Sequence, residues 1–448
     1  MLTLTEAAEQ IRSRKLSPLE LTRDCLARIE RVNPELKAFI TVTAEPALEQ
    51  ARQAESEISS GNYRGPLHGI PIGLKDLFDT AGVRTTAASN QYRDRLPAAD
   101  AKVVRRLKQA GAVIVGKANM HEFAFGMSGV VSAFGPVRNP WNREHITGGS
   151  SSGSAAAVAA GFCLAALGSD TSGSIRCPPA LCGVVGHRPS AGLVSTKGVV
   201  PLSTSFDTVG PMTSTVRDAA ILLDVLVGEP TCASVLEEDV SRLRVGVARK
   251  NFFDELDADV ASCVESALEV VEKLVGEVCE VDVPIEGFRT IFDAEIYEYH
   301  EAMIREHPEL YDPRTLFRLQ KCAGISATDY IRERHRLEAH RAQAERIFEQ
   351  VDAVITPTAP SPAAKIADLE ALPIADVRPF EMKHLMRNTL PFSALYWPSL
   401  SVPCGFTSDG LPVGMQISSR PGGDSICLRV AKAYEAATEW YKRKPSLD

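Results

Sequence analysis

Residues 168–178, "GSDTSGSIRCP", set serines at 169, 172 and 174 among glycines, with Arg176 just beyond and Pro178 and Pro179 closing the stretch. A second run of the same kind, "HITGGSSSGS", fills 145–154. A serine hydroxyl becomes a useful nucleophile only when a neighbour takes its proton. Lys75 can be that neighbour: "GIPIGLKD" (69–76) carries it to the end of an apolar strand, where burial would lower its pKa and leave it neutral near pH 7.

Other readings of the same residues compete. Glycine backbones can cradle a phosphate, but neither loop is followed by Lys-Ser/Thr and neither fits G-x-G-x-x-G. Gly149 to Gly153 fits G-x-S-x-G, which would make Ser151 the nucleophile of an elbow. That motif needs a strand running straight into the serine, and "NPWNREHITGG" is polar and proline-bearing. The plain structural alternatives are an exposed salt-bridge lysine at a strand end, Ser150 and Ser151 as helix N-caps, and Ser174 as a turn residue.

Hydrophobic periodicity supplies the elements that must hold these residues. Residues 3–60 read as amphipathic helices, with a capping box at Ser17–Glu20. From 67 onward "LHGIPIGLKD" and "GAVIVGKANM" read as strands separated by a helix over 100–110, a strand–helix–strand rhythm that implies α/β. Further strands are expected at "RLRVGVAR", "VDAVITPT", "SLSVPCGF" and "LPVGMQIS", and helices over 257–275 and 424–441. The run "AAAVAAGFCLAAL" (155–167), apolar on every side, predicts one buried helix. Residues 285–350 are charged, helical and strandless, as expected of an insertion laid over the sheet.

At this point the chain resembles the amidase signature hydrolases. Their Gly-Gly-Ser-Ser-Gly-Gly-Ser and Asp-Thr-Gly-Gly-Ser-Ile/Val-Arg-x-Pro runs appear as "GGSSSGS" (148–154) and "DTSGSIRCP" (170–178), and their lysine motif as "GIPIGLKD". Ser150 follows Lys75 by 75 residues and Ser174 follows Ser150 by 24, which matches as well. "AFGPVRNPW" (133–141), "GVVPLSTSFDTVGPM" (198–212) and "SVPCGF…LPVGMQI" (401–417) extend the likeness, which thins over 230–350.

The resemblance implies a single α/β/α domain over 1–448 with a large mixed central sheet flanked by helices. Within it, residues 1–60 would be N-terminal helices, 65–230 the catalytic core, 285–350 a substrate-covering insertion, and 351–448 the closing strands and helix. It also implies a catalytic set: Ser174 as nucleophile, Ser150 as a bridging serine preceded by a cis peptide, and Lys75 as base. Backbone N–H groups of Thr171, Ser172, Gly173 and Ser174 would form an oxyanion hole, with Ser151, Asp170 and Arg176 supporting the turn. Ser172 and Ser152 stand where the family pattern has glycine.

Substrate preference is read from "EFAFGMSGVVSAFGP" (122–136). Where amidotransferase A subunits that resemble this chain carry Ser-Thr-Glu-Asn-Ser, residues 128–132 are Ser-Gly-Val-Val-Ser. Phe125, Met127, Gly129 and Val130 are therefore expected to wall an apolar pocket, with 380–397 (Phe392, Tyr396, Trp397) as a further wall. The expectation is a free-standing hydrolase of amides, anilides, carbamates and esters that needs no cofactor or metal. The amidotransferase A subunit is the alternative, and a silent scaffold that keeps the fold is a second.

Composition agrees with such a protein. A net charge of −8 argues against a nucleic-acid surface, and ten cysteines without a C-x-x-C pair read as reduced core residues rather than a zinc site. The N-terminal stretch has no basic-then-apolar leader, and no apolar run reaches the roughly 18–20 residues of a membrane span. A cytoplasmic monomer or homodimer is expected, acting on small molecules without nucleic acid or membrane.

Overall fold

The strand–helix–strand rhythm over 67–118 forms the part of the sheet that carries Lys75; the structure, a computed structural model, describes residues 2–447. The chain begins with α1 (Leu4–Arg12) and α2 (Pro18–Leu36). Ser17 caps α2 by accepting the N–H groups of Leu19 and Glu20, while the reciprocal capping box forms one helix earlier, between Thr3 and Glu6. A short strand, β1 (Phe39–Val42), interrupts the expected helical stretch before α3 (Ala44–Ser59).

Next come β2 (Pro71–Lys75), α4 (Lys102–Gln109) and β3 (Val113–Ala118), then a small hairpin of β4 (Arg138–Asn139) and β5 (Asn142–Ile146). The core continues through α5 (Ser152–Ala159), β6 (Ala165–Asp170), α6 (Cys177–Cys182), β7 (Val185–Arg188), β8 (Thr208–Thr213) and α7 (Val216–Val227). Beyond it lie β9 (Arg244–Val247), α8 (Ala258–Glu272) and β10 (Glu277–Glu280). Residues 285–350 hold α9 (Arg289–Glu306), α10 (Pro313–Gln320) and α11 (Ala327–Ala344). The sheet is completed by β11 (Ala353–Pro357), β12 (Ser399–Phe406) and β13 (Pro412–Ser419), and a helix over Asp424–Thr438 follows.

Eleven strands join one mixed sheet in the order β1-β3-β2-β6-β8-β7-β12-β13-β11-β9-β10. β2 runs parallel to both β3 and β6, whereas β6 and β8 are antiparallel. Strand neighbours feed opposite cores. Ile114, Ala165 and Leu167 join one cluster with α4, α7 and α8, while Val113, Val115 and Ala166 join another with the alanines of α5. Both faces are thus covered by helices, which is why these strands read as unbroken apolar runs rather than alternating ones.

The expected helix over 155–167 is corrected. It runs only from Ser152 to Ala159, the chain turns at Gly161 (φ 68°), and Ala165–Leu167 belong to β6. A fully apolar run does not distinguish a buried helix from a buried strand. Among the described residues no helix is long and apolar enough to cross a membrane.

Candidate active site

Because β2 and β6 are parallel neighbours with Leu74 opposite Leu167, both strands end at the same edge of the sheet. Lys75 is the last residue of β2. β6 ends at Asp170, and the chain then turns through 171–176. The third segment arrives from the amino end of α5, where the Gly149–Ser150 peptide is cis.

These three segments bring three buried side chains into line. Lys75 Nζ donates to Ser150 Oγ (2.8 Å), Ser150 Oγ donates to Ser174 Oγ (3.0 Å), and Ser174 Oγ points on to Met127 Sδ (3.6 Å). A neutral lysine amine can also accept, so that the same chain can run the other way and carry a proton from Ser174 to Nζ. Burial lowers the Lys75 pKa from 10.5 to about 7, against the opposing pull of Asp207 and Asp170. Ser169, which no motif in the sequence marks, is the second partner of Nζ (2.9 Å) and lies on the strand next to Lys75.

Burial alone does not make a lysine reactive. Lys117 is equally buried and is lowered to about 8, but it donates to Phe78 O and Thr85 Oγ1 (2.6 Å each) and faces no paired serines. Ser151 is also set apart: its Oγ donates to Ser169 O (3.2 Å), and it stands as the N-cap residue of α5. The elbow geometry is therefore absent.

The turn after β6 is held by ions. Arg176 grips Asp170 with two bonds of 3.0 Å, and Arg188 adds a third contact at 3.1 Å. Burial would raise the Asp170 carboxyl, but these two guanidiniums hold it at about 2. Arg176 also reaches Thr389 O and Gln416 Oε1 (2.8 Å each), tying the turn to the C-terminal part of the chain. Asp207 accepts from Thr171 Oγ1 (2.5 Å) and from the N–H groups of Leu202 and Ser203; its burial raises it to about 6.

One expected donor is corrected. Gly173 N–H is committed to Asp170 Oδ1 (2.8 Å), which removes it from an oxyanion hole. Among the described residues the N–H groups of Thr171, Ser172 and Ser174 have no protein acceptor. Gly173 instead serves the turn by its shape: φ is 147°, and a Cβ there would lie 2.2 Å from Thr389 Oγ1. Gly173→Ala is expected to fold yet lose about 100-fold or more in kcat, the effect of misplacing an oxyanion donor. A steady-state rate within a few-fold of wild type would refute this.

The expected pocket wall is also corrected in part. Phe125 and Met127 line a cavity of about 280 Å³ that reaches Ser172. Gly129 and Val130 do not. Val130 packs with Ile146, Cys177 and Leu181, and a Cβ on Gly129 (φ 77°) would strike Ser152. The valines are core residues, so they no longer argue for an apolar substrate.

Known proteins share this architecture. The family model for Amidase matches residues 20–428. The chain is 38% identical to the A subunit of the glutamyl-tRNA(Gln) amidotransferase of Geobacter metallireducens, over 100% of this chain and 99% of that protein. Among solved structures, it superposes with a TM-score of 0.89 on a chain from a vestigial protein complex tied to the origins of an s-triazine catabolic enzyme (31% identity, 100% of both chains). With the A subunit of the Thermotoga maritima glutamyl-tRNA(Gln) amidotransferase the TM-score is 0.80 (32% identity, 100% and 98% covered). The end-to-end match with a subunit named for a tRNA amidotransferase overturns the expectation of a free-standing hydrolase of apolar amides and carbamates. It overturns equally the expectation of small molecules as the only partners.

Proposed function

Because the chain belongs to the amidase family, we propose that it is the carboxamide-cleaving A-type subunit of an amidotransferase assembly, working with partner subunits on a tRNA-borne acceptor. The cleavage chemistry rests on one observation, the unbroken Lys75–Ser150–Ser174 hydrogen-bond chain. Ser174 Oγ attacks the carbonyl carbon as its proton moves to Ser150 Oγ and the Ser150 proton moves to neutral Lys75 Nζ. The carbonyl oxygen becomes an oxyanion facing the free N–H groups of Thr171, Ser172 and Ser174, each such donor contributing roughly 3–4 kcal/mol.

Breaking the C–N bond then requires a proton on the leaving nitrogen, and the relay returns it through Ser150. Ammonia departs from a primary amide and Ser174 is left as an ester. Water attacks that ester by the same route, releasing a carboxylic acid and the free serine. Residues 285–350 fit this scheme as the cover of the substrate, since α9 and α10 supply walls of the cavity within one domain.

Reconstitution tests the proposal. The purified chain is combined with the remaining subunits of a glutamyl-tRNA(Gln) amidotransferase, glutamyl-tRNA(Gln), glutamine as carboxamide donor, and ATP with magnesium to activate the acceptor carboxylate as an acyl phosphate, from which phosphate leaves as ammonia attacks, and glutaminyl-tRNA is measured. Transfer of the amide nitrogen is expected, with faster ammonia release than from the chain alone. Full activity alone and no transfer in the mixture would refute the assembly role.

A further inference from the structure

A thioether faces the nucleophile. Ser174 Oγ donates to Met127 Sδ (3.6 Å) while it accepts from Ser150 Oγ (3.0 Å), so the hydroxyl proton that the relay must move points at sulfur. Sulfur is a weak acceptor, and that proton is easily turned back toward Ser150. The Met127 backbone, by contrast, is pinned. Its N–H donates to Glu381 Oε1 (2.9 Å) at the end of the helix Ile374–Glu381, and its carbonyl carbon lies 3.1 Å from where a Cβ on Gly149 would stand. Its methyl carbon lies against the nucleophile's turn, 3.1 Å from the position of a Cβ on Gly173.

Met127 is buried, yet a small molecule can reach it. It lines the cavity of about 280 Å³ that runs past Ser172 to Glu286 and Gly287, both exposed. Met382 and Met386, half-buried, line the same cavity, and among the described residues neither meets Ser174 Oγ in a hydrogen bond. Cys177, three residues from Ser174, is a poor competitor for an oxidant. Burial pushes its thiol well above the ordinary value and keeps it protonated, and a protonated thiol reacts slowly with peroxide.

We infer that Met127 is an oxidation site, and that its conversion to the sulfoxide by hydrogen peroxide turns Ser174 off. A sulfur lone pair attacks one peroxide oxygen; the O–O bond breaks as the S–O bond forms, and the second oxygen leaves as water. The thioether is oxidised by two electrons and the peroxide is reduced by two. The product is a polar side chain whose oxygen accepts hydrogen bonds far better than sulfur does. Because the backbone is pinned on one side, the added oxygen lies toward Ser174 or in the cavity. There it holds the Ser174 hydroxyl away from Ser150 and takes room that the substrate carbonyl needs. The inference rests on the reading of Ser174 as the nucleophile.

The test treats the purified chain with hydrogen peroxide and follows two quantities together: the rate of fluorophosphonate labelling at Ser174, and, by peptide mass spectrometry, the fraction of each methionine that has gained an oxygen. Labelling should slow about tenfold or more in protein oxidised at Met127, part of the 10²–10⁴-fold that a positioned base contributes. The loss should track the Met127 sulfoxide and not that of Met382 or Met386. Met127→Leu fills a similar volume without an oxidisable sulfur, and its labelling rate, whatever its starting value, should be the same before and after peroxide. The double variant Met382→Leu, Met386→Leu should lose labelling as the native chain does. Met127 that stays reduced, full labelling of protein oxidised at Met127, a loss that follows another methionine, or an equal loss in Met127→Leu would each overturn the inference. The two readings fail apart: a chain that takes no label at Ser174 before peroxide refutes both, whereas one that labels equally before and after refutes only the oxidation site.

Discussion

Ser174→Ala abolishes covalent labelling by a serine-directed fluorophosphonate and lowers amide cleavage by about 10⁴-fold or more, the loss typical when a nucleophile is deleted. The alanine removes one oxygen and nothing else. Among the described residues that oxygen's hydrogen-bond partners are Ser150 Oγ and Met127 Sδ, so the fold and its melting temperature should be almost unchanged. Ser151→Ala is the matched control: its hydroxyl bonds Ser169 O, away from the lysine, and labelling should persist. Labelling that survives in Ser174→Ala but disappears in Ser151→Ala would place the nucleophile on the neighbouring serine and refute the assignment.

Lys75→Met should lower kcat/KM by about 10²–10⁴-fold, the usual contribution of a positioned base. Methionine fills the buried volume without a proton acceptor, so the loss reads chemistry rather than collapse. In the wild type, kcat/KM should rise with pH through about 7 and then level off. The sign follows from the group: below its pKa the lysine holds its third proton and cannot take one from Ser150, and the rate falls about tenfold per pH unit. Lys75→Met should flatten that limb as well as lower it. A variant that retained a rise centred near 7 would assign the titration to another group, Asp207 at about 6 being the nearest alternative.

The members of the Lys75–Ser150–Ser174 hydrogen-bond chain are legible because they sit in short local motifs. Glycine- and serine-rich turns following apolar segments, and one lysine closing a strand, have meaning before the fold is known. Ser169 is not legible because its relation to Lys75 is one of adjacent parallel strands, β6 beside β2, and spacing along the chain is silent about such neighbours. The cavity is the least legible part. Val130 has the character of a wall and is packing instead, while Arg318 on α10 and Glu381 on the helix Ile374–Glu381 are far apart in sequence and acquire meaning only where they meet.

Among the strands, those with continuous β-branched runs are clear. β8 is hidden because Gly210 and Pro211 interrupt it, a pattern that argues against a central strand. β10, with glutamates at both ends on the sheet's edge, carries too little apolar signal to stand out. β7 holds His187 and Arg188, both buried, whose partners lie elsewhere in the chain.

The grip of Arg176 on Gln416 has a consequence for synthesis. The nucleophile's turn is made early in translation, but one of the side chains that brace it is added 240 residues later. A ribosome-bound chain has displayed Ser174 long before β13 emerges, with Asp170 and Arg176 still lacking the strand that completes their surroundings. The turn around Ser174 therefore gains its full set of braces only when the C-terminal strands close the sheet, and a product truncated before β13 lacks the Gln416 contact.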